Sequence, residues 1–179
     1  VLFAAKKFNE VEILFPQSEW APKSSLMAAY AYYTQNYFDD SIAELNRFLR
    51  VYPLDKNIDY AYACTDLGKV YENLKEGELS VKYRLMGIDS LVKLEQTNSI
   101  KKALATAYGN LSHIYRNHLN DSENAIICAH KSLEFRENFE KNKSYGISLY
   151  NLGRAYAMNN EFQKSADFMK QALQFFKEG

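Results

Sequence analysis

The strongest constraint in this sequence is that it repeats itself. Leu67-Gly68-Lys69-Val70-Tyr71, Leu111-Ser112-His113-Ile114-Tyr115 and Leu152-Gly153-Arg154-Ala155-Tyr156 share one order: leucine, small residue, two variable residues, tyrosine. Their leucines lie 44 and 41 residues apart (111 minus 67, 152 minus 111). Nine or ten residues after each tyrosine a small residue opens a second amphipathic run, at Ser80, Ala125 and Ser165. Another small residue follows seven positions later, at Gly87, Ser132 and Ala172. Small side chains on two successive helices let their backbones approach, while Leu and Tyr fill the space on either side. A period of this size means that each repeat is one helix pair, burying its apolar face against the next. The chain holds only three prolines and seven glycines, too few to supply the turns of an all-β protein. The fourteen tyrosines and eleven phenylalanines, most of them spaced three or four apart, serve as large knobs between packed helices. The fold class is all-α.

The pattern resembles the tetratricopeptide repeat, a helix-turn-helix unit of about 34 residues with Leu-Gly and Tyr on its first helix and small residues on its second. The longer spacing resembles the extended-helix variety found in kinesin light chains and in many bacterial regulators. Asn110 and Asn151, each just before the Leu, fit that variety, and the first copy has Asp66 there instead. The resemblance implies a right-handed superhelix, a solenoid of about nine antiparallel helices.

The N-terminal third is spelled differently. Phe15-Pro16 and Tyr52-Pro53 each end a helix and lie 37 residues apart (53 minus 16), with Tyr32, Phe38, Ser41 and Phe48 at tetratricopeptide positions. The string Phe8, Phe15-Pro16, Ser18, Ala21, Ala29-Tyr30-Ala31-Tyr32-Tyr33, Tyr37, Ile42, Leu45-Asn46-Arg47-Phe48, Tyr52-Pro53 and Asp59-Tyr60-Ala61-Tyr62 resembles BamD, the lipoprotein of the outer-membrane β-barrel assembly machine. That resemblance covers residues 3–62, and the longer repeats begin at Ala63. The expected organisation is a BamD-like segment at 1–62, a junction helix at 57–74 shared by both grammars, and a longer-period array at 63–179, packed as one continuous solenoid. A shared helix is a natural joint, because each repeat contacts mainly its neighbours. Two arrays fused through that helix, by design or by recombination, are one expected origin.

The coarse map is nine helices, at 1–15, 19–35, 38–51, 57–74, 77–95, 99–117, 121–139, 143–159 and 162–177. Asn98, Asp121 and Asn142 fall at helix starts, where a short polar side chain accepts bonds from unpaired amides. The run Phe175-Phe176-Lys177-Glu178-Gly179 carries no polar capping helix, which predicts either end-to-end self-association or a further repeat beyond it.

Other function classes lack support. With 22 basic and 22 acidic residues there is no electrostatic excess to hold nucleic acid. No apolar run approaches the ~20 residues that span a bilayer, so no direct membrane insertion is expected. Cys64 and Cys128 read as small buried apolar residues rather than a disulfide or zinc pair. His113 and His118, five apart, fall on different sides of a helix, and His130 stands alone, so no metal site is expected. Asp39-Asp40 opens a helix, where the dipole favours negative charge. There is no glycine-rich phosphate loop, no catalytic constellation and no expected cofactor; Gly68, Gly87 and Gly153 read as close-contact points between helices.

What remains is a surface for recognition. The resemblance implies that the first helices of the repeats line a groove. Counting from the Leu-small pairs, the residues directed into it are Tyr30, Tyr33, Thr65, Lys69, Asn73, Asn110, His113, Arg116, Asn117, Tyr150, Asn151 and Arg154. Asparagines there hold the backbone of an extended peptide, since an amide both donates and accepts, and Arg or Lys select acidic side chains. The expected function is a non-catalytic scaffold whose partner is a protein or an extended peptide. The BamD resemblance implies receipt of unfolded outer-membrane proteins and a periplasmic, outer-membrane-associated location. The regulator resemblance implies a sensory or adaptor portion and a cytoplasmic location, as would a recombinant scaffold.

Overall fold

The computed structural model describes residues 2–52, 58–137, 139 and 141–176. Among these are nine helices and no strands: α1 (Leu2–Leu14), α2 (Trp20–Tyr33), α3 (Phe38–Val51), α4 (Ile58–Asn73), α5 (Gly77–Val92), α6 (Asn98–Asn117), α7 (Ser122–Glu137), α8 (Lys143–Met158) and α9 (Phe162–Phe176). Pro53, the start of the junction helix at Asn57 and the terminal Lys177 to Gly179 lie outside the described residues.

The chain divides into two compact units, Val1–Leu94 and Glu95–Gly179. In the first, each helix from α1 to α4 packs on its successor, and α2 also meets α4. Ala29, Leu45, Phe48, Ala63, Leu67 and Val70 form a buried apolar cluster there, with Tyr33, Tyr71 and Tyr83 against its flank. In the second unit α6 packs on α7 and α8, α7 on α8, and α8 on α9. Ala129, Leu133, Leu149, Leu152, Tyr156 and Ala172 form its cluster, flanked by Phe168 and Phe175.

The small residues do what their spacing implies. A Cβ added at Gly68 would lie 2.6 Å from Cγ of Arg84 and 3.3 Å from the carbonyl oxygen of Ser80; at Gly87, 3.1 Å from that of Ala61; at Gly153, 3.1 Å from that of Ser165. Serines at these contacts bond to the facing backbone. Ser41 donates to the carbonyl of Ala29 (3.0 Å), Ser80 to that of Gly68 (2.8 Å) and Ser112 to that of Ala125 (2.7 Å). Close approach therefore comes with a satisfied hydroxyl rather than a buried orphan.

The turn within each helix pair carries one left-handed residue: Asn36 (φ 62°), Lys75 (φ 63°), Asn120 (φ 53°) and Asn160 (φ 60°). Next to it, the amides of Tyr37, Glu76 and Glu161 reach back to the carbonyls of Tyr32, Tyr71 and Tyr156, at 3.1, 2.9 and 2.9 Å. This is the six-to-one closure that ends helices at an αL residue. Asp121 and Asn142 cap as expected, accepting from the amides of Asn124 and Ser144, both at 2.9 Å. Asn98 does not: Thr97 precedes it as the cap of α6, accepting from the amide of Ile100, and Asn98 is the first helical residue.

Candidate functional site

In the first unit, α2 and α4 carry the five residues expected to line a groove there, Tyr30, Tyr33, Thr65, Lys69 and Asn73. Tyr30 and Tyr33, one turn apart on α2, have ring centroids 6.4 Å apart. The amide of Asn73 donates to the Tyr33 hydroxyl at 3.1 Å and to the Lys69 carbonyl at 2.9 Å, tying the two helices side by side. A small cleft is lined by Tyr30 and Tyr33 of α2, Ser41 and Leu45 of α3, and Asp66 and Lys69 of α4, among others. The ammonium of Lys69, expected to select acidic side chains, lies 2.7 Å from the carboxylate of Asp66, one turn earlier on α4. Thr65 lies on the α5 side of α4. Its hydroxyl bonds to the Ala61 carbonyl at 2.9 Å, and it sits against Gly87 of α5.

In the second unit, α6 carries Asn110, His113, Arg116 and Asn117, and α8 carries Tyr150, Asn151 and Arg154. Tyr150 and Asn117 are exposed, while Asn110, His113, Asn151 and Arg154 are half-buried. The guanidinium of Arg154 lies 5.9 Å from the Tyr150 ring centroid, a cation-π distance. Arg116 departs from expectation: it is buried, at 8% exposure, rather than lying open in a groove. It follows Ser112, which packs on α7, by one helical turn, and so shares that covered side. Its Nε, Nη1 and Nη2 have no hydrogen-bond partner among the described residues. Burial first and the Arg154 charge second pull its pKa down to about 10, with Tyr150 acting in the opposite sense.

His113 and His118 are also closer than their spacing implies, with ring centroids 6.4 Å apart. α6 ends at Asn117, and His118 is its C-cap with φ widened to −114°, beyond the regular helix to which the spacing rule applies. His130 is not alone either; its Nε2 and the Tyr156 hydroxyl share a hydrogen bond of 2.8 Å. Among the described residues no three His, Cys, Asp or Glu side chains are grouped to hold a metal. Both cysteines are buried, and burial lifts the thiols of Cys64 and Cys128 to about 12 and 11.

Two buried charge networks had no sequence signature. Arg47 forms a fork to Glu12, at 2.9 Å from Nη1 and 2.5 Å from Nη2, and also reaches Glu44 and the hydroxyl of Ser25. Tyr52 donates to the same Glu12 at 2.7 Å. Burial raises the Glu12 pKa, yet the bonds from Arg47 and Tyr52 and the Arg47 charge outweigh it and hold the carboxyl below its usual value. Arg84, only 4% exposed, contacts Glu72 at 2.5 Å and the Ser80 hydroxyl at 3.2 Å.

By fold the protein is an all-α helical-repeat protein of the tetratricopeptide type. The family model YfiO, described as outer membrane lipoprotein, matches residues 1–78, and the tetratricopeptide repeat model TPR_12 matches residues 103–178. The N-terminal region is BamD-like. It is similar to the outer membrane protein assembly factor BamD of Caulobacter vibrioides, 39% identical over 59 residues and 33% of this chain. The BamD of Neisseria meningitidis serogroup B is 41% identical over 58 residues and 32% of this chain. The matches span 19% and 22% of the length of those relatives. Solved structures share the fold: BtubC from P. vanneervenii (TM-score 0.83, 17% identity, 96% of this chain and 71% of that one) and MamA (TM-score 0.71, 17% identity, 97% and 87%). The TPR-like repeats of a kinesin light chain from Podosopora anserina also share it (TM-score 0.75, 13% identity, 97% and 86%).

Proposed function

We propose that the chain is a non-catalytic scaffold that binds an extended peptide or an unfolded protein segment along the first helices of its helix pairs. The observation that carries this reading is the grouping of stacking, amide and cationic side chains across neighbouring first helices. Tyr33 and Asn73 join α2 to α4, and within the other unit Arg116 lies in the field of Tyr150 and Arg154, across α6 and α8. Such mixed surfaces suit a peptide, whose backbone asks for amides and whose side chains ask for flat or charged contacts. A fluorescence-anisotropy titration of the purified chain with labelled peptides tests it. Saturable binding that weakens in Asn151→Ala/Arg154→Ala, with helix content unchanged, is expected; unchanged affinity in that variant contradicts the groove.

A second reading is favoured by the BamD-like region: the α2 and α4 face, with Tyr30 and Tyr33, receives segments of outer-membrane proteins. Selective saturation by the C-terminal peptide of an outer-membrane protein over its scrambled version supports it, and equal binding of the two counts against it. The reading also includes a joint. α4 packs on α3 and on α5, which suits a helix that completes one repeat array and opens another. A fusion of a BamD-like fragment to a second array is our account of the change in spelling after Tyr62. An intact natural reading frame across 59–74 would contradict a recombinant origin.

A further inference from the structure

In the second unit a pocket of about 290 Å³ opens where Lys102 and Thr106 of α6, Arg136 of α7 and Ser144 and Tyr145 of α8 meet, with Phe139 of the α7–α8 connection in its wall. That volume lies at the lower end of the range for small-molecule sites. Every polar side chain among these described residues can donate a hydrogen bond, and none is a carboxylate.

The two cations are positioned by neutral groups rather than by counter-ions. Lys102 and Thr106 lie one turn apart on the same side of α6, and the Thr106 hydroxyl donates to the Lys102 carbonyl at 3.0 Å. The same hydroxyl oxygen accepts from Nη2 of Arg136 at 3.2 Å, which fixes the guanidinium beside α6. Nε of Arg136 is buried and has no hydrogen-bond partner among the described residues. The Lys102 ammonium lies 5.3 Å from the Phe139 ring centroid, a cation-π contact that orients the charge without neutralising it. Lys141, 5.4 Å from the Tyr145 ring centroid, brings a third cation against the pocket wall. Among the described residues neither Lys102 nor Arg136 makes an ion pair, whereas Arg84 in the first unit is met by Glu72. Burial alone lowers the Arg136 pKa, with no nearby charge acting against it. Like charges gathered in this way repel one another, a cost that a bound anion removes.

We propose that this pocket binds a phosphate group, held between the Lys102 ammonium and the Arg136 guanidinium, with the Ser144 hydroxyl as a further donor and Phe139 as a wall. The donors come from three helices. A carboxylate has two oxygens in one plane, which a single guanidinium satisfies, whereas a phosphate monoester offers three acceptor oxygens and a charge approaching −2 at neutral pH. Two cations and a hydroxyl on separate elements match the second group better than the first. Free inorganic phosphate and a small organic phosphate monoester both supply it. The site does not rest on the peptide-binding reading, so its failure leaves that reading intact.

The test is isothermal titration calorimetry of the full chain at constant ionic strength, with inorganic phosphate, phenyl phosphate, and phenylacetate as a carboxylate of similar shape. The expected result is saturable binding of phosphate or phenyl phosphate at least about tenfold tighter than that of phenylacetate. A tighter phenyl phosphate identifies a small organic phosphate as the source, and one no tighter than inorganic phosphate identifies free phosphate. Lys102→Gln and, separately, Arg136→Gln should each weaken that binding about tenfold. Lys102 is exposed, so its replacement keeps the test valid if Arg136→Gln does not fold. Phenylacetate bound as tightly as the phosphates, no binding of any probe, or a phosphate affinity unchanged in Lys102→Gln overturns the site.

Discussion

In the Val1–Leu94 unit the guanidinium of Arg47 meets Glu12 and Glu44, and that of Arg84 meets Glu72. In the Glu95–Gly179 unit Arg116 is as buried as Glu12 and Glu44, and its guanidinium nitrogens have no hydrogen-bond partner among the described residues. The packing between helices is nevertheless the same in both units, with small residues in close contact and a left-handed residue in each intra-pair turn. The difference teaches that the repeat pattern governs packing, while the charge placed upon it is free to vary from unit to unit. A unit whose charges are closed has its electrostatics devoted to stability. A unit with an unpaired buried cation gives up stability at that place.

The largest effect is expected from breaking the closed network. Arg47→Met leaves Glu12 and Glu44 buried without their cation, and should lower the unfolding free energy by about 3 kcal/mol, the lower end for a buried pair because Arg47 is itself about a third exposed. Urea denaturation followed by circular dichroism reads this directly. The same network has a pH signature. The Glu12 pKa is lowered in the folded state from the ordinary carboxylate value, so its contribution is fully present above that value and is lost as pH falls through the folded pKa. Glu12→Gln should remove that acid-side loss, and a stability curve that keeps its shape would assign the acid sensitivity elsewhere.

If packing is shared, equivalent changes in the two units should cost the same. Gly68→Ala meets Cγ of Arg84 and the Ser80 carbonyl, and Gly153→Ala meets Cγ of Met169 at 2.9 Å and the Ser165 carbonyl. Each should lose about 1–3 kcal/mol by overpacking. Gly109→Ala, which meets only the Ser132 side chain at 3.3 Å and beyond, should cost little or gain from helix propensity, about 1 kcal/mol at most. Thermal melts of the three variants compare the units, and unequal losses at Gly68 and Gly153 would show that packing differs as well as charge. The smallest effect concerns the turns. Lys75 holds a left-handed conformation that Asn occupies in the other three intra-pair turns. Lys75→Asn should stabilise by about 0.5 kcal/mol, measured in the same melts.

The helix pairs were legible because their signal is local. Leu67, Gly68 and Tyr71 with Ser80 and Gly87 describe both faces of one contact within a short stretch. The left-handed turns at Asn36, Asn120 and Asn160 were open to reading, since Asn favours that conformation, whereas nothing about Lys75 announces it. The Arg47 fork was not legible, because Glu12 is 35 residues away and polar residues on a helix read as a solvated face. Arg116 was misread as exposed for a related reason: counting from the Leu-small pair describes the α6 surface, but α8 also packs on α6. Its spacing of four from the buried Ser112 was the available clue. Of the candidate residues, Tyr30, Tyr33 and Asn73 share a face with Lys69, whose charge Asp66 takes, and the expected role of Asp66 as an exception in the pattern becomes a specific ion pair.

The most direct measurement is the urea unfolding free energy of Arg116→Met beside that of Arg47→Met. An arginine held without a counter-charge predicts that Arg116→Met is at least as stable as the parent, by up to about 1–2 kcal/mol, while Arg47→Met falls well below it. Comparable losses in both variants would contradict the account, since they would mean that Arg116 is as well satisfied inside its unit as Arg47 is in the other.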